Sequence, residues 1–510
     1  MNLSMCIKSD IKKANNKQTY MTKIISNGSI TLHLAIAFSL LMTLIFYTIE
    51  SSHQSALACR ADSVSYIASD SLFSHYCLPL FEKYGLFALN EQGLDLHSLL
   101  ETYAEKNCEF SPNPLYQLES FLNPELSNID IKHVTYLTDN DGRDFVSQIC
   151  EQVKYLELTN LAEELLDTSK TDFPDIYEQS SYGIPDINFE DFNIDSYTKY
   201  APANPLADGE TDENLNGIDC NTFSDSISES IGHMIEESLL SCILKDPSRV
   251  STLSIDKSVL PSVTCDLTID GLNATYGYYK DKSQTTYEKA CFCEYITYTF
   301  GNFLNPATDS ALNYQTEYII SGSSDDDTNL INTALQLISL RSSLNLIHLF
   351  GDKSKFNAAW KISQSASSIP LAPYFIQAII LTVWATAEAV IDVRDLLSGK
   401  SVPVLKSKEQ WSLSIQGLQN FSKSTSSVND GKSGLSYSRY LEILLIFQNN
   451  ISTYYRTMDL IQMDICKDYS NKFRISACVS GLTVEYTYKL PWLFSARNST
   501  YTKKYNYSYR

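Results

Sequence analysis

The sequence predicts a mainly α-helical fold with a smaller β part (α+β), held to a membrane by one N-terminal helix. Three observations predict it. An apolar run occupies residues 29–49, apolar residues recur at helical spacing over 330–350 and 374–399, and a β-branched, alternating segment lies within 250–282. With 510 residues the chain exceeds the length at which one hydrophobic core stops growing, so we expect more than one module.

The apolar run at 29–49 is long enough to cross a hydrocarbon core of roughly 30 Å, and His33 is its strongly polar residue. Five lysines and one aspartate precede it, so the N-terminal end is expected to stay in the cytoplasm. The alternative is a signal peptide cut between Ala58 and Cys59, but the run is longer than a signal h-region. We therefore expect a single-pass cell-membrane protein whose bulk is extracytoplasmic.

The part of the chain beyond the lysines is strongly acidic. The formal charge is −21, and residues 1–27 carry +4, so the rest carries −25. Such a surface repels phosphate backbones, which argues against nucleic acid as a partner. Gly399-Lys400-Ser401 and Gly431-Lys432-Ser433 end like phosphate-binding loops, but both lack the first glycine, so no nucleotide is expected.

The pattern of apolar residues and turn formers divides the chain into a series of segments. Helical spacing continues past the membrane through Leu57, Ala61, Val64, Ala68 and Leu72. The predicted series is a cytoplasmic N-terminus (1–28), a transmembrane helix (29–49), a stalk helix (50–78), a mixed α/β module (79–168), an acidic linker or insertion (169–225), a small β-containing module (226–282) and a helical domain (283–510).

Two helical segments have two interpretations each. The run 374–387 is apolar enough to suggest a second membrane span, but its uninterrupted length favours a buried core helix. Apolar residues stepping by 4 and 3 from Tyr440 to Ile465 predict a long helix, either a core helix or an intermolecular coiled coil. Asn449-Asn450 is a possible break within it. The Tyr- and Lys-rich tail 501–510 is interpreted as a disordered end.

Eleven of the twelve cysteines follow the apolar run, where disulfides form and persist if the chain is exported. Because eleven is odd, Cys59 on the stalk is the natural unpaired thiol. Cys466 and Cys478 are a plausible disulfide pair.

One motif suggests a ligand. Asp212, Asn214, Asn216 and Asp219 follow the first half of a calcium loop, with oxygen ligands at alternate positions and Gly217 at the sharp turn. The twelfth position is Phe223 instead of a bidentate Glu, so the alternative is a solvated acidic turn. No cofactor other than this possible calcium ion is expected.

A set of residues along most of the chain resembles a known family: the pseudopilin-like, TadE/TadG-related single-pass membrane proteins of Gram-positive anaerobes, associated with Tad-type (type IVb) pili. The matching positions are Gly28-Ser29-Ile30-Thr31, Glu50-Ser51, Phe73, Tyr76, Leu80, Tyr84-Gly85-Leu86-Phe87, Asp141-Gly142, Phe145, Gln148-Ile149, Tyr314-Gln315, Glu317-Tyr318-Ile319, Arg341, Asn345, Trp384-Ala385, Ala387-Glu388, Asp392, Pro403, Lys406, Gly434-Leu435, Tyr437 and Tyr440-Leu441.

The resemblance implies a non-enzymatic role in the envelope or in pilus assembly, with membrane and envelope proteins as partners and no catalytic residue. The sequence departs from true prepilins, because His33 stands where a pilin has Glu and Ser29 replaces a large apolar residue. A minor or assembly component therefore fits better than a polymerising pilin.

Two other classes of function stay open. A surface adhesin or carbohydrate-binding protein would use the 33 Tyr and four Trp as stacking surfaces, provided that aromatic side chains cluster on an exposed face. An exported hydrolase of unrecognised type would need carboxylates converging in a pocket, with Glu317, Glu388 and Asp392 as the candidates. On otherwise apolar helices these carboxylates, with Arg341 and Lys406, are better explained as a buried polar network that fixes helix register.

Overall fold

The computed structural model describes residues 3–108, 122–155, 211–215, 239–265, 286–365, 372–419, 421 and 426–509. Most of these residues are helical and the rest include a small antiparallel sheet, in agreement with the predicted α+β class. The helices are α1 (Leu3–Phe73), α2 (Leu78–Tyr84), α3 (Leu96–Cys108), α4 (Arg143–Tyr155), α5 (Leu239–Ile243), α6 (Pro261–Thr264), α7 (Thr286–Thr299), α8 (Gln315–Ser321), α9 (Asp326–Gly351), α10 (Lys353–Ser365), α11 (Ala372–Leu397), α12 (Ile415–Gln419), α13 (Tyr437–Phe447) and α14 (Asn450–Asp468). The strands are β1 (Leu89–Asn90), β2 (Glu125–Tyr136), β3 (Cys478–Pro491) and β4 (Asn498–Ser508).

The chain divides into two compact units. Unit 1 comprises residues 1–76, 91–135 and 481–508, and unit 2 comprises residues 77–90, 136–480 and 509–510. Both units are built from segments that are distant in sequence. The linear series of modules drawn from the sequence stays a prediction.

Unit 1 is organised around α1, whose second half has one buried face. Leu57, Ala61, Val64, Ala68 and Leu72, the positions that predict a stalk helix, are all buried. Their 3.6-residue spacing places them on one stripe, and α1 contacts α3 and β4. The stalk helix is therefore a packing helix within a folded unit.

The sheet of unit 1 is antiparallel. β3 pairs with both β2 and β4, and the β3–β4 register runs from Gly481 opposite Ser508 to Pro491 opposite Asn498. Two hydroxyl pairs join the sheet to α1: Ser65 to Tyr488 at 2.9 Å and Ser69 to Tyr486 at 2.8 Å. Because these tyrosines are buried, their hydroxyl groups need such partners, and the α1 serines supply them.

Unit 2 has a helical core in which α9 packs along α11. The helix predicted over 330–350 begins at Asp326 and ends at Gly351, and its acidic first turn suits the helix N-terminus. α11 contains the apolar run 374–387, and 61% of its most apolar window is buried inside the protein. Trp384 and Ala385 in its middle are fully buried, which places this helix in the core.

The long C-terminal helix predicted over 440–465 is two helices, α13 and α14. The break falls at Asn449, whose side chain accepts hydrogen bonds from the amides of Ile451 and Ser452 and caps α14. Tyr440, Leu444, Tyr454, Met458, Ile461 and Ile465 are buried in the unit 2 core. They therefore pack within the unit, as the core-helix interpretation predicts.

The strands lie in other places than the sequence suggests. Residues 239–265, the described part of the predicted β-containing module, hold the short helices α5 and α6 and one isolated bridge between Ser254 and Asp325. The interpretation of residues 501–510 as a disordered tail is wrong, because β4 covers residues 498–508. The predicted acidic linker lies outside the described residues except for 211–215.

Candidate functional site

The first candidate site is the apolar half of α1, which is exposed along its whole length. From Ile30 to Ile49 every side chain except Met42 is exposed, and the 18-residue window of highest hydropathy, with a mean of 2.0, has no buried residue. The hydroxyl groups of Thr43 and Thr48 donate to carbonyl oxygens of their own helix at 2.8 Å. A helix whose backbone and hydroxyl groups bond internally suits a hydrocarbon environment.

The second candidate site is a group of buried charges between α9, α11 and residues 402–413 of unit 2. Asp392 accepts hydrogen bonds from Arg341 at 2.8 and 3.0 Å, and it forms an ion pair with Lys406 at 2.5 Å. Lys406 also pairs with Glu388, which accepts two further hydrogen bonds from the amides of Ser412 and Leu413, each 2.9 Å. All four charged side chains are at most 2% exposed.

The guanidinium of Arg341 has partners at each of its nitrogens. Besides Asp392, it donates to the carbonyl oxygens of Pro403 and Val404 at 2.8 Å, to the Tyr440 hydroxyl at 3.0 Å and to Asn345 at 3.2 Å. Burial alone would lower the pKa of Arg341, but Asp392 and Tyr440 raise it above its ordinary value. Burial raises the pKa of Glu388, with Lys406 opposing the shift.

This charge network is balanced and saturated with hydrogen bonds. Two cations face two carboxylates, and the bonds of Arg341 and Glu388 hold the 402–413 segment against the two long helices. Such an arrangement fixes how helices and loops pack, because removing one partner leaves a buried charge uncompensated. The structure thus brings together four of the five residues predicted to form a register-fixing network.

Glu317, the fifth, lies apart from the other four. It is fully buried, and its Oε1 accepts from the amide of Phe303 at 2.8 Å and from the Tyr437 hydroxyl at 2.7 Å. Its Oε2 is buried with no hydrogen-bond partner among the described residues. Burial raises the pKa of Glu317 to about 7. The three candidate hydrolase carboxylates therefore do not converge in an open pocket.

Other residues of the family-like pattern also contact backbone groups that are distant in the sequence. The side-chain amide of Gln148 accepts from the amide of Phe87 at 2.7 Å and donates to its carbonyl oxygen at 3.0 Å. The indole of Trp384 donates to the carbonyl of Leu413 at 2.8 Å. These side chains bond to backbone groups inside unit 2, which is a structural role.

A cleft of about 1,320 Å³ in unit 2 is the third candidate. Aromatic side chains line part of it, and three of them are exposed: Phe81 (36%), Tyr155 (82%) and Tyr298 (64%). Phe81 also packs on Phe87, with ring centroids 4.5 Å apart. Glutamates and lysines complete the wall, so the cleft combines stacking surfaces with hydrogen-bonding groups.

The predicted calcium site is only partly described. Asp212 and Asn214 are exposed, whereas Asn216 and Asp219 lie outside the described residues. The amide of Asp212 donates to the Ser354 hydroxyl at 2.7 Å, which ties this segment to the start of α10. Within the described ranges no group of three or more His, Cys, Asp or Glu side chains is placed to hold a metal ion. Calcium binding stays a prediction.

The predicted disulfide between Cys466 and Cys478 is not formed. Cys466 forms no disulfide, and its thiol donates a hydrogen bond to the carbonyl oxygen of Phe473 at 3.2 Å. Cys150 on α4 and Cys291 on α7 are also free thiols, and the Cys150 thiol donates to the carbonyl oxygen of Glu288 at 3.9 Å. The neighbouring Cys150 thiol, with Tyr287, lowers the pKa of Cys291 to about 7, although burial opposes the shift. The ten cysteines whose side chains the structure describes are all free thiols, so the prediction that Cys59 alone stays unpaired is not confirmed, and Cys59 itself is exposed.

Comparison with protein families gives one match. The model of a family of unknown function, DUF5702, matches residues 221–490, which is just over half of the chain. The match contains the charge network and most of unit 2, and it does not include the apolar segment of α1. Searches of curated proteins and of solved structures found no match.

Proposed function

We propose that this chain, which belongs to the DUF5702 family, is a non-enzymatic membrane-anchored protein that acts outside the cytoplasm through contacts with other proteins. The exposed apolar half of α1 carries this proposal. The most apolar 18-residue window of this segment has no buried residue, and a helix of this length and hydropathy matches the thickness of a bilayer.

The direction of insertion follows from charge. The five lysines of residues 1–27 precede the span, and the residues that follow it open with Glu50 and are acidic overall. Loops rich in lysine stay in the cytoplasm. In this orientation the residues that follow the span, from Glu50 onward, lie on the outer side of the membrane.

The finer proposal is a minor or assembly component of a Tad-type pilus or a related envelope apparatus. The family-like residues support it, and so does the form of α1, in which an exposed apolar half continues without a break into a half that packs on an antiparallel sheet. An apolar helix that continues into a stalk beneath a folded head is the layout of pilins and pseudopilins. The partners would be the membrane and envelope or pilus-assembly proteins.

Mass spectrometry of the mature N-terminus, on protein recovered from its native membrane, tests both levels of the proposal. An uncut chain fits a fixed anchor, and a chain that starts at Ser29 fits processing of the prepilin type. In the second case Gly28→Leu should block the cut while Asn27→Ala should not. A chain that starts at Cys59 would lack the span and would contradict a transmembrane anchor.

A carbohydrate-binding surface protein is the second candidate, because exposed aromatic side chains cluster at the unit 2 cleft. Stacking of sugars on Tyr298 would make Tyr298→Ala reduce retention of the full chain by an oligosaccharide array. Tyr469→Ala is the matched control, since Tyr469 is also exposed (59%) and does not line the cleft. Equal glycan retention by both variants would remove this candidate.

A further inference from the structure

The turn that joins β3 to β4 presents three consecutive apolar side chains to the surroundings. Trp492, Leu493 and Phe494 are 43%, 39% and 52% exposed. The turn is closed by a hydrogen bond from the amide of Trp492 to the carbonyl of Arg497 at 3.0 Å. We call residues 492–494 the hairpin tip. An exposed run of this kind on a folded hairpin marks a contact surface.

The hairpin tip is held against α1 at the end of its apolar half. The Glu50 carboxylate accepts from the amide of Leu493 at 3.1 and 3.2 Å and from the amide of Phe494 at 3.3 Å. One turn further along α1, Gln54 donates to the carbonyl of Pro491 at 3.0 Å and accepts from the Ser499 hydroxyl at 2.6 Å. Two residues of one helix face thus bind both ends of the turn.

The position of the tip along α1 indicates what covers it. The Phe494 ring packs edge-on against Phe46, with centroids 5.1 Å apart. Phe46 belongs to the exposed apolar segment and lies one turn, about 6 Å, before Glu50. Tyr47 beside it is 72% exposed. Aromatic side chains therefore surround the last turn of the apolar segment, where membrane proteins place their interfacial aromatic belt.

We propose that the hairpin tip inserts into the lipid headgroup–acyl boundary of the outer leaflet, as a second membrane contact beside the α1 span. Whatever surrounds Phe46 also reaches Phe494, and around a spanning helix this is lipid. The carboxylate of Glu50 accepts from the amides of Leu493 and Phe494, so these two donors keep their hydrogen bonds at the boundary. The contact fixes the rotation and depth of unit 1 at the bilayer surface. It rests on the proposed membrane anchoring by α1.

Tryptophan fluorescence tests this proposal, because Trp492 is exposed whereas Trp360, Trp384 and Trp411 are buried in unit 2. The full chain is reconstituted into phosphatidylcholine vesicles whose acyl chains carry bromine near the headgroup, and into unbrominated vesicles. Bromine quenches only tryptophans that reach lipid. The expected result is a loss of about one quarter of the emission, the share of one tryptophan in four, and no such loss in Trp492→Phe.

Glu50→Ala should reduce the quenching because it frees the tip from α1, and Ser51→Ala, an exposed neighbour, should not. Equal emission in both kinds of vesicle, from chains that float with the vesicles, would overturn the inference while α1 anchoring stands. A partner protein or a second copy over the tip would give that result. Chains that fail to float would overturn the anchoring and the inference together.

Discussion

Arg341 on α9 and Asp392 on α11 share two hydrogen bonds, of 2.8 and 3.0 Å, to one carboxylate oxygen, and both side chains are buried. The same guanidinium binds the carbonyl oxygens of Pro403 and Val404. This pair therefore connects the two long helices of unit 2 with the segment that follows them. The role of this pair is structural, and substitutions at Asp392 and at the neighbouring Gly434 test it through the stability of unit 2.

Asp392→Asn should destabilise unit 2 by about 3 kcal/mol, because two buried cations then face a single carboxylate. Urea unfolding of the detergent-solubilised chain, followed by tryptophan fluorescence, measures the loss. Glu151→Gln is the control: its exposed pair with Lys154 should be worth less than about 1 kcal/mol. Equal effects of the two substitutions would show that the network does not stabilise the core.

Gly434→Ala should disturb the segment that Arg341 holds. Gly434 has φ +105°, and a Cβ there would lie 2.2 Å from the amide nitrogen of Pro403. Gly399 also has a positive φ, +88°, but a Cβ there meets nothing within 4 Å. Gly399→Ala should therefore cost about 1 kcal/mol from backbone strain alone, and Gly434→Ala should cost 1–3 kcal/mol more, as a rough estimate for overpacking. Thermal unfolding compares them, and equal costs would contradict the contact.

Glu317 should make the stability of unit 2 depend on pH. Its pKa of about 7 in the folded chain exceeds the ordinary value, so folding favours the protonated form. The stabilisation is complete below the unfolded pKa and is lost as pH rises through 7, by roughly 3 kcal/mol at most. Glu317→Gln should reduce the change of the urea unfolding midpoint with pH between pH 5 and 8. Glu409→Gln, at an exposed position, is the control and should leave that pH dependence unchanged. A pH dependence in Glu317→Gln equal to that of the unsubstituted chain would contradict this account.

The helices and the buried charges were predictable from the sequence because their signal is local. A 3.6-residue spacing marks the buried face of α1, and charges on apolar helices predict pairing, which the structure confirms for Arg341, Glu388, Asp392 and Lys406. The identity of the partners was not predictable, because it depends on how α9 packs along α11. Glu317 was predicted to join the same network, but its hydrogen bonds go to a backbone amide and a tyrosine hydroxyl group instead.

The strands and the hairpin tip depend on contacts between distant segments. The alternation in β4 is of tyrosines with lysines and polar residues, which resembles a disordered tail until its pairing with β3 is known. The predicted Cys466–Cys478 disulfide relied on spacing alone, whereas the structure turns Cys466 to the carbonyl of Phe473. Glu50 and Leu493 are 443 residues apart, so their hydrogen bond has no signal in the sequence.

Labelling of Cys59 in intact cells tests the central claim, membrane anchoring by α1 with the residues after the span outside the cytoplasm. Cys59 is an exposed thiol just beyond the apolar segment of α1. A membrane-impermeant maleimide should modify it without lysis, and Cys59→Ser should lose that modification. Modification of Cys59 only after lysis would place the residues after the span in the cytoplasm and would contradict the account.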